Sequence, residues 1–158
     1  MTRDSRILSL GREDAFTLVE LVIVIAIIGI IAAIVTSSAL SARVTANEGS
    51  AKGGLKTIQS ACISYRGAEG SYAPDLATMG SSYLGGGLET GYSSGYNYEL
   101  RNGNRGESFT CTAVPRSANF TGVRSYCTDA YNVIYIYNNP VISADGVNCP
   151  PGGTPMSG

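Results

Sequence analysis

The stretch that decides the fold is FTLVELVIVIAIIGIIAAIV, which occupies residues 16–35. Glu20 is its only charged residue, and Thr17 is its only other polar side chain. A helix rises about 1.5 Å per residue, so a helix of this length spans roughly the 30 Å hydrocarbon core of a bilayer. The stretch therefore predicts a helix able to span a membrane.

Glu20 is the unusual feature of this helix. An acidic residue at the centre of a membrane helix costs about 2.5 kcal/mol or more. A cation on a neighbouring helix would remove that cost, and leaving a buried charge without its partner costs about 3–5 kcal/mol. Such a pairing would favour one packing register of the helices. The alternative is a lone acid near the headgroups that stays partly hydrated.

The sequence from Ala15 to Glu20, AFTLVE, followed by unbroken aliphatic residues, resembles the processing signature of type IV pilins and type II secretion pseudopilins. The resemblance implies that a prepilin peptidase removes the leader, residues 1–15, by cutting between Ala15 and Phe16. It further implies N-methylation of Phe16 and a subunit interface in which Glu20 meets the Phe16 amine of a neighbour. Ala15 stands where the family usually has Gly, and the leader is neutral where family leaders are usually basic.

A secretory signal peptide is the main alternative for the N-terminal region, with residues 39–41, Ala-Leu-Ser, as its cleavage site. Signal peptides have a basic start and an apolar run of about 7–15 residues. Here the apolar run is longer and contains Glu20. Acidic residues balance the basic ones ahead of it: Arg3, Arg6 and Arg12 against Asp4, Glu13 and Asp14.

Composition excludes several functional classes. The chain has 158 residues, enough for one domain besides the apolar helix. Its formal net charge of −1 gives no basic excess for nucleic-acid binding. It contains no histidine, the commonest general base and metal ligand. We therefore predict a structural protein rather than an enzyme, with no cofactor and no metal.

The remaining chain predicts a pilin-type α+β fold. Residues 36–67 continue the helix as an amphipathic half, because apolar residues recur at a spacing of three or four. They are Leu40, Val44, Ala51, Leu55, Ile58, Cys62 and Tyr65. Gly49, Gly53 and Gly54 predict a bend or fraying, and Gly67 and Gly70 predict the end of this helix.

A loop, an antiparallel sheet and a tail are predicted after the helix. The loop comprises residues 68–91, the sheet 92–140 and the tail 141–158. The helix is expected to pack on three to four strands, connected in part by a hairpin turn near Asn102-Gly103. The expected strands are residues 94–101, 108–114, 124–128 and 133–137.

The four cysteines are disulfide candidates, and they allow three pairings. No CxxC pair is present, which argues against zinc. We favour Cys111 with Cys127, on strands that could be neighbours, and Cys62 with Cys149. Members of the pilin family often have a disulfide bond in their C-terminal region, so the resemblance implies that Cys149 is disulfide-bonded. The alternative is that one or more cysteines are buried free thiols.

Three weaker motifs lie in the predicted sheet and tail. Asn119 begins an N-glycosylation sequon, and such triplets also arise by chance. Asp129 and Asp145 are candidate calcium ligands, but the sequence has no dense acidic cluster around them, so we interpret both as solvated turn residues.

The predicted function is that of a type IV pilin, which polymerises through its N-terminal helix into a helical surface filament. Its partners would be further copies of itself, the prepilin peptidase and N-methyltransferase, and an inner-membrane assembly platform. It would reside in the inner membrane before assembly and at the cell surface afterwards. A periplasmic pseudopilin or a minor pilin is the alternative, and a membrane-anchored binding domain is a weaker one.

Overall fold

A computed structural model of the chain describes residues 16–156, with no side-chain description for residues 35–37. The predicted α+β class is confirmed: a long helix α1, Leu18–Glu69, and a short helix α2, Leu76–Tyr83, accompany one sheet. The sheet is six-stranded, antiparallel and in sequential order. Its strands are β1 Tyr92–Ser93, β2 Tyr96–Gly103, β3 Ser108–Pro115, β4 Ser125–Asp129, β5 Ile134–Tyr137 and β6 Thr154–Pro155.

The strand number exceeds the predicted three to four because two short strands extend the sheet at its edges. β1 and β6 contain two residues each, too few to give an alternating pattern in the sequence. β6 lies in the segment predicted as a tail, and it pairs with β5 through Ile136 and Thr154. The tail is therefore part of the sheet.

The chain divides into two compact units at Ser38. In the first unit, the aliphatic side chains of α1 from Leu18 to Ile34 are largely exposed. Among the described residues, α1 is the one helix long and apolar enough to cross a membrane. Its first part is apolar all round, which is typical of a helix surrounded by lipid or by other helices.

In the second unit, whose described part (residues 39–156) we call the head, α1 is amphipathic as predicted. Ala51, Leu55, Ile58 and Cys62 are fully buried at helical spacing. They share one core with side chains from one face of the sheet, which we call the inner face. The inner-face residues of that core include Tyr96, Tyr98, Leu100, Phe109, Cys111 and Tyr126.

The fraying predicted for α1 at Gly49, Gly53 and Gly54 is wrong, since the helix continues through all three. Tertiary packing supplies most of the stability of a protein helix, and it outweighs the low propensity of glycine. Gly54 also has a packing role, because a Cβ there would lie 2.6 Å from the hydroxyl oxygen of Tyr98. The missing side chain lets the helix approach β2 closely.

Of the two glycines predicted to end α1, Gly70 does so, whereas Gly67 lies within the helix, which continues to Glu69. The φ of Gly70 is +80°, and its N–H donates to the carbonyl of Arg66 at 2.9 Å. This left-handed conformation is the usual glycine cap of a helix.

The segment predicted as a loop contains α2, so that prediction was incomplete. Asp75 Oδ1 accepts hydrogen bonds from the backbone N–H of Thr78 at 2.7 Å and from its hydroxyl at 2.8 Å, which caps α2. These bonds, with the backbone one largest, lower the pKa of Asp75. Leu76 and Met79 then bury into the core.

Packing of the C-terminal segment covers part of the opposite, outer face of the sheet. Ile142, Ala144 and Cys149 pack with Cys127 and side chains of β5 in a second apolar cluster. Two hydrogen bonds attach this segment to β3: Ser108 Oγ donates to the carbonyl of Gly146 at 3.2 Å, and the Gly146 N–H donates to Thr110 Oγ1 at 3.1 Å. β3 is consequently buried on both faces.

Side-chain hydrogen bonds from α1 hold the connection between β3 and β4 against the helix. Glu48 Oε1 accepts the backbone N–H groups of Val123 at 3.1 Å and Arg124 at 3.2 Å. Asn47, one position earlier, donates its side-chain amide to the carbonyl of Thr121 at 2.9 Å. The connection contains turn hydrogen bonds of its own, and the two α1 side chains satisfy further backbone groups at its C-terminal end.

Neighbouring glycines of α1 provide a matched test of this packing. Gly53→Ala should raise the free energy of unfolding by about 1 kcal/mol, because the site is open and alanine favours helix. Gly54→Ala should be less stable than Gly53→Ala by about 1–3 kcal/mol, because its methyl group overpacks against Tyr98. Chemical denaturation of the detergent-solubilised chain measures both. Equal stabilities would show that α1 does not approach β2 this closely.

Candidate processing and assembly site

Reciprocal hydrogen bonds between Thr17 and Glu20 define the start of α1. Thr17 Oγ1 accepts the backbone N–H of Glu20 at 3.2 Å. In return, Glu20 Oε2 accepts the backbone N–H of Thr17 at 2.9 Å and its hydroxyl at 2.8 Å. This is a capping box, in which Thr17 is the N-cap and Glu20 occupies the third helical position.

Phe16 lies outside the helix, one residue before the cap, and its side chain is 88% exposed. The hydroxyl of Thr17 satisfies a backbone N–H that has no partner within the helix, which stabilises a start at Leu18. Ala15, the other side of the predicted cleavage position, lies outside the described residues.

Glu20 has no cationic partner within residues 16–156. The two ion pairs there join Arg101 to Glu99 and Arg124 to Glu48. Both capping bonds reach Glu20 Oε2, and the acid lies among exposed aliphatic side chains such as Val19 and Leu21. The carboxylate is thus available to a cation from outside the described chain.

Sequence reasoning identified Phe16 and Glu20 but missed the part played by Thr17. The signal was present, because a threonine followed three residues later by a glutamate before an apolar run is the sequence form of a capping box.

The favoured disulfide pairs, Cys111 with Cys127 and Cys62 with Cys149, are both wrong. Cys127 is bonded to Cys149, with 5.8 Å between their Cα atoms, while Cys62 and Cys111 are buried free thiols. Cys127 lies opposite Thr112 in the β3–β4 register, and Cys111 lies opposite Thr128. Because adjacent strand residues point to opposite faces, Cys111 faces α1 and Cys127 faces the C-terminal segment.

The two free thiols belong to the core rather than to a reactive site. Burial raises the pKa of Cys62 to about 12 and that of Cys111 well above its usual value. Since the thiolate is the nucleophile, both groups are unreactive near neutral pH. This agrees with a structural role for the inner face.

Asp129 and Asp145 act as turn residues. Asp145 Oδ1 accepts the backbone N–H groups of Val147 and Asn148, and these bonds, that of Asn148 first, lower its pKa. Asp129 Oδ1 accepts the N–H of Tyr131, and burial raises its pKa. No group of three or more acidic, cysteine or histidine side chains suited to a metal occurs among residues 16–156.

Comparison with known families identifies the class of this N-terminal region. Residues 10–36 match the family model described as the prokaryotic N-terminal methylation motif, which is the prepilin-type signal of type IV pilins and pseudopilins. No curated protein matches the chain. The matched residues include Phe16, Thr17, Glu20 and most of the apolar helix. The chain therefore carries a prepilin-type signal at residues 10–36.

The disulfide gives a direct test of the outer-face packing. Alkylation of the denatured, unreduced protein should label Cys62 and Cys111, and peptide mapping should find Cys127 and Cys149 linked. Replacing both Cys127 and Cys149 by Ser should lower the free energy of unfolding by about 2–4 kcal/mol, because the bridge closes a loop with a sequence separation of 22.

Reducing agent provides the control for that measurement. It should destabilise the wild-type protein by a similar amount and leave the double variant unchanged. Labelling of Cys127 or Cys149 in the unreduced protein would contradict the connectivity.

Proposed function

We propose that this protein is a filament subunit that is cut between Ala15 and Phe16, N-methylated at Phe16, and polymerised through its N-terminal helix. The observation that carries the proposal is the exposed apolar helix with a single acid that has no cation among the described residues. The matched prepilin signal supports the same class.

The physical argument concerns where the helix is stable. In a bilayer the aliphatic side chains from Leu18 to Ile34 are solvated by lipid, while the charge of Glu20 is unfavourable. Cleavage would create an α-amine on Phe16, whose unperturbed pKa lies near 7.7–8.0. When helices of several subunits pack together, that amine and a neighbour's Glu20 form a charge pair.

The charge pair would also select the assembly geometry. A packing that leaves Glu20 buried without the neighbouring amine is disfavoured by about 3–5 kcal/mol. Contacts between identical subunits that do not close into a ring generate helical filaments. Residues 16–35 would then form the filament core, and the heads would form its surface.

Processing and assembly require partners and a route. A prepilin peptidase and N-methyltransferase would act on the precursor in the inner membrane, and an inner-membrane assembly platform would extract it. The final location would be a cell-surface filament. A periplasmic pseudopilus or a minor-pilin position is the alternative, because pilins and pseudopilins share the matched signal.

The mass of the mature N-terminal peptide tests the processing step. We expect a peptide beginning at methylated Phe16 in both the membrane fraction and the sheared surface fraction of the native host. A start near Ala42 would indicate an ordinary secreted protein. An intact Met1 start would indicate a simple membrane-anchored domain, and either of these results would overturn the proposal.

A neutral substitution of the intramembrane acid tests the assembly step. Glu20→Gln keeps a hydrogen-bond acceptor for the cap but removes the charge, so the precursor should insert normally while the yield of sheared filament falls about tenfold or more. Glu69→Gln removes an acid at the other end of α1 and serves as the control. A normal filament yield from Glu20→Gln would contradict the charge pairing.

A further inference from the structure

We propose that Thr17 is a positioning residue for leader removal. Its side chain caps the N-terminus of α1, so the helix begins at Leu18, after the peptide bond between residues 15 and 16. This inference rests on the proposed function, in which that bond is cut. It concerns the shape of the substrate, and it assigns the Thr17 hydroxyl a role separate from the charge of Glu20.

The reaction itself is a hydrolysis of one amide bond. Water adds across the bond between Ala15 and Phe16, giving a carboxylate on Ala15 and a free amine on Phe16. A peptidase must reach the carbonyl group of this bond. Inside a helix that carbonyl would be engaged with an N–H one turn later, and local opening would have to precede cleavage.

Three hydrogen bonds set the position at which the helix starts. Thr17 Oγ1 accepts from the Glu20 N–H at 3.2 Å, and the Thr17 N–H and hydroxyl both donate to Glu20 Oε2, at 2.9 and 2.8 Å. Phe16 and Thr17 precede the helix, and α1 begins at Leu18. Phe16 is exposed, as a residue entering a peptidase must be.

The sequence ahead of Thr17 offers a second position at which a helix could start. Asp14 is the nearest upstream residue of a type that caps helices well. A helix capped there would have Ala15 and Phe16 as its first two helical residues and would include the bond to be cut. Thr17 competes with this earlier start by combining a side-chain cap with the reciprocal bond from Glu20.

The test compares variants of the full-length precursor in detergent with a purified prepilin peptidase. Thr17→Val removes the hydroxyl and keeps the branched shape. It should lower kcat/KM for release of residues 1–15 about fivefold, the equilibrium factor equivalent to loss of a typical N-cap. Thr17→Ser retains the cap and should restore kcat/KM to within about twofold of wild type.

A same-type substitution elsewhere on α1 controls for general effects on the helix. Thr45 donates its hydroxyl to the carbonyl of Ser41 at 3.0 Å, away from the cap. Thr45→Val should leave kcat/KM unchanged. Amide hydrogen exchange at Leu18 and Val19 supplies a second readout. An earlier helix start would give these two N–H groups backbone acceptors one turn before them, so their protection should rise in Thr17→Val.

The outcomes separate this inference from the function on which it rests. Cleavage of Thr17→Val at the wild-type rate, or of Thr17→Ser as slowly as Thr17→Val, would overturn the positioning role alone. A wild-type precursor that is not cut before Phe16 would overturn the proposed function and the positioning role together.

Discussion

The packing of one face of α1 against the inner face of the sheet is the contact on which the rest of the head depends. It requires an apolar stripe on the helix, and it requires Gly54 at the closest approach to Tyr98. A polar contact reinforces it where the Gln59 side-chain amide donates to the hydroxyl of Thr128 on β4. With the inner face covered, the remaining apolar surface of the sheet lies on its outer face.

The C-terminal segment contributes to the head by covering apolar side chains on the outer face of the sheet. An antiparallel sheet can leave one face in water, and covering that second face buries further apolar surface. Residues 142–149 cover part of the outer face, and the disulfide between Cys127 and Cys149 holds them there. The longer tail to which they belong, residues 141–158, is rich in glycine and proline, and β6 is the one strand in its described part. The covalent link therefore helps to hold this tail on the sheet.

Sequence reasoning predicted what local pattern encodes. The apolar helix, its amphipathic continuation, the Gly70 cap and the four longer strands all have a periodic or turn signal within a few residues. It did not predict features that depend on pairing between distant segments. The two-residue edge strands and the Cys127–Cys149 bond follow from register, since one position decides which face a side chain occupies. The Asp75 cap of α2 and the Thr17 cap of α1 had local signals that were missed.

The Glu20 carboxylate caps the start of α1 and is compatible with the proposed contact between subunits. At the third helical position, Glu20 lies near the positive end of the helix dipole, which favours a negative charge there. Its capping bonds occupy Oε2 and leave Oε1 without a partner among residues 16–156. A cation can therefore approach Oε1 without breaking the cap. The hydrogen bonds that set the helix start also lower the cost of carrying a charge in an apolar helix. The local cap and the proposed contact between subunits are for this reason compatible rather than competing.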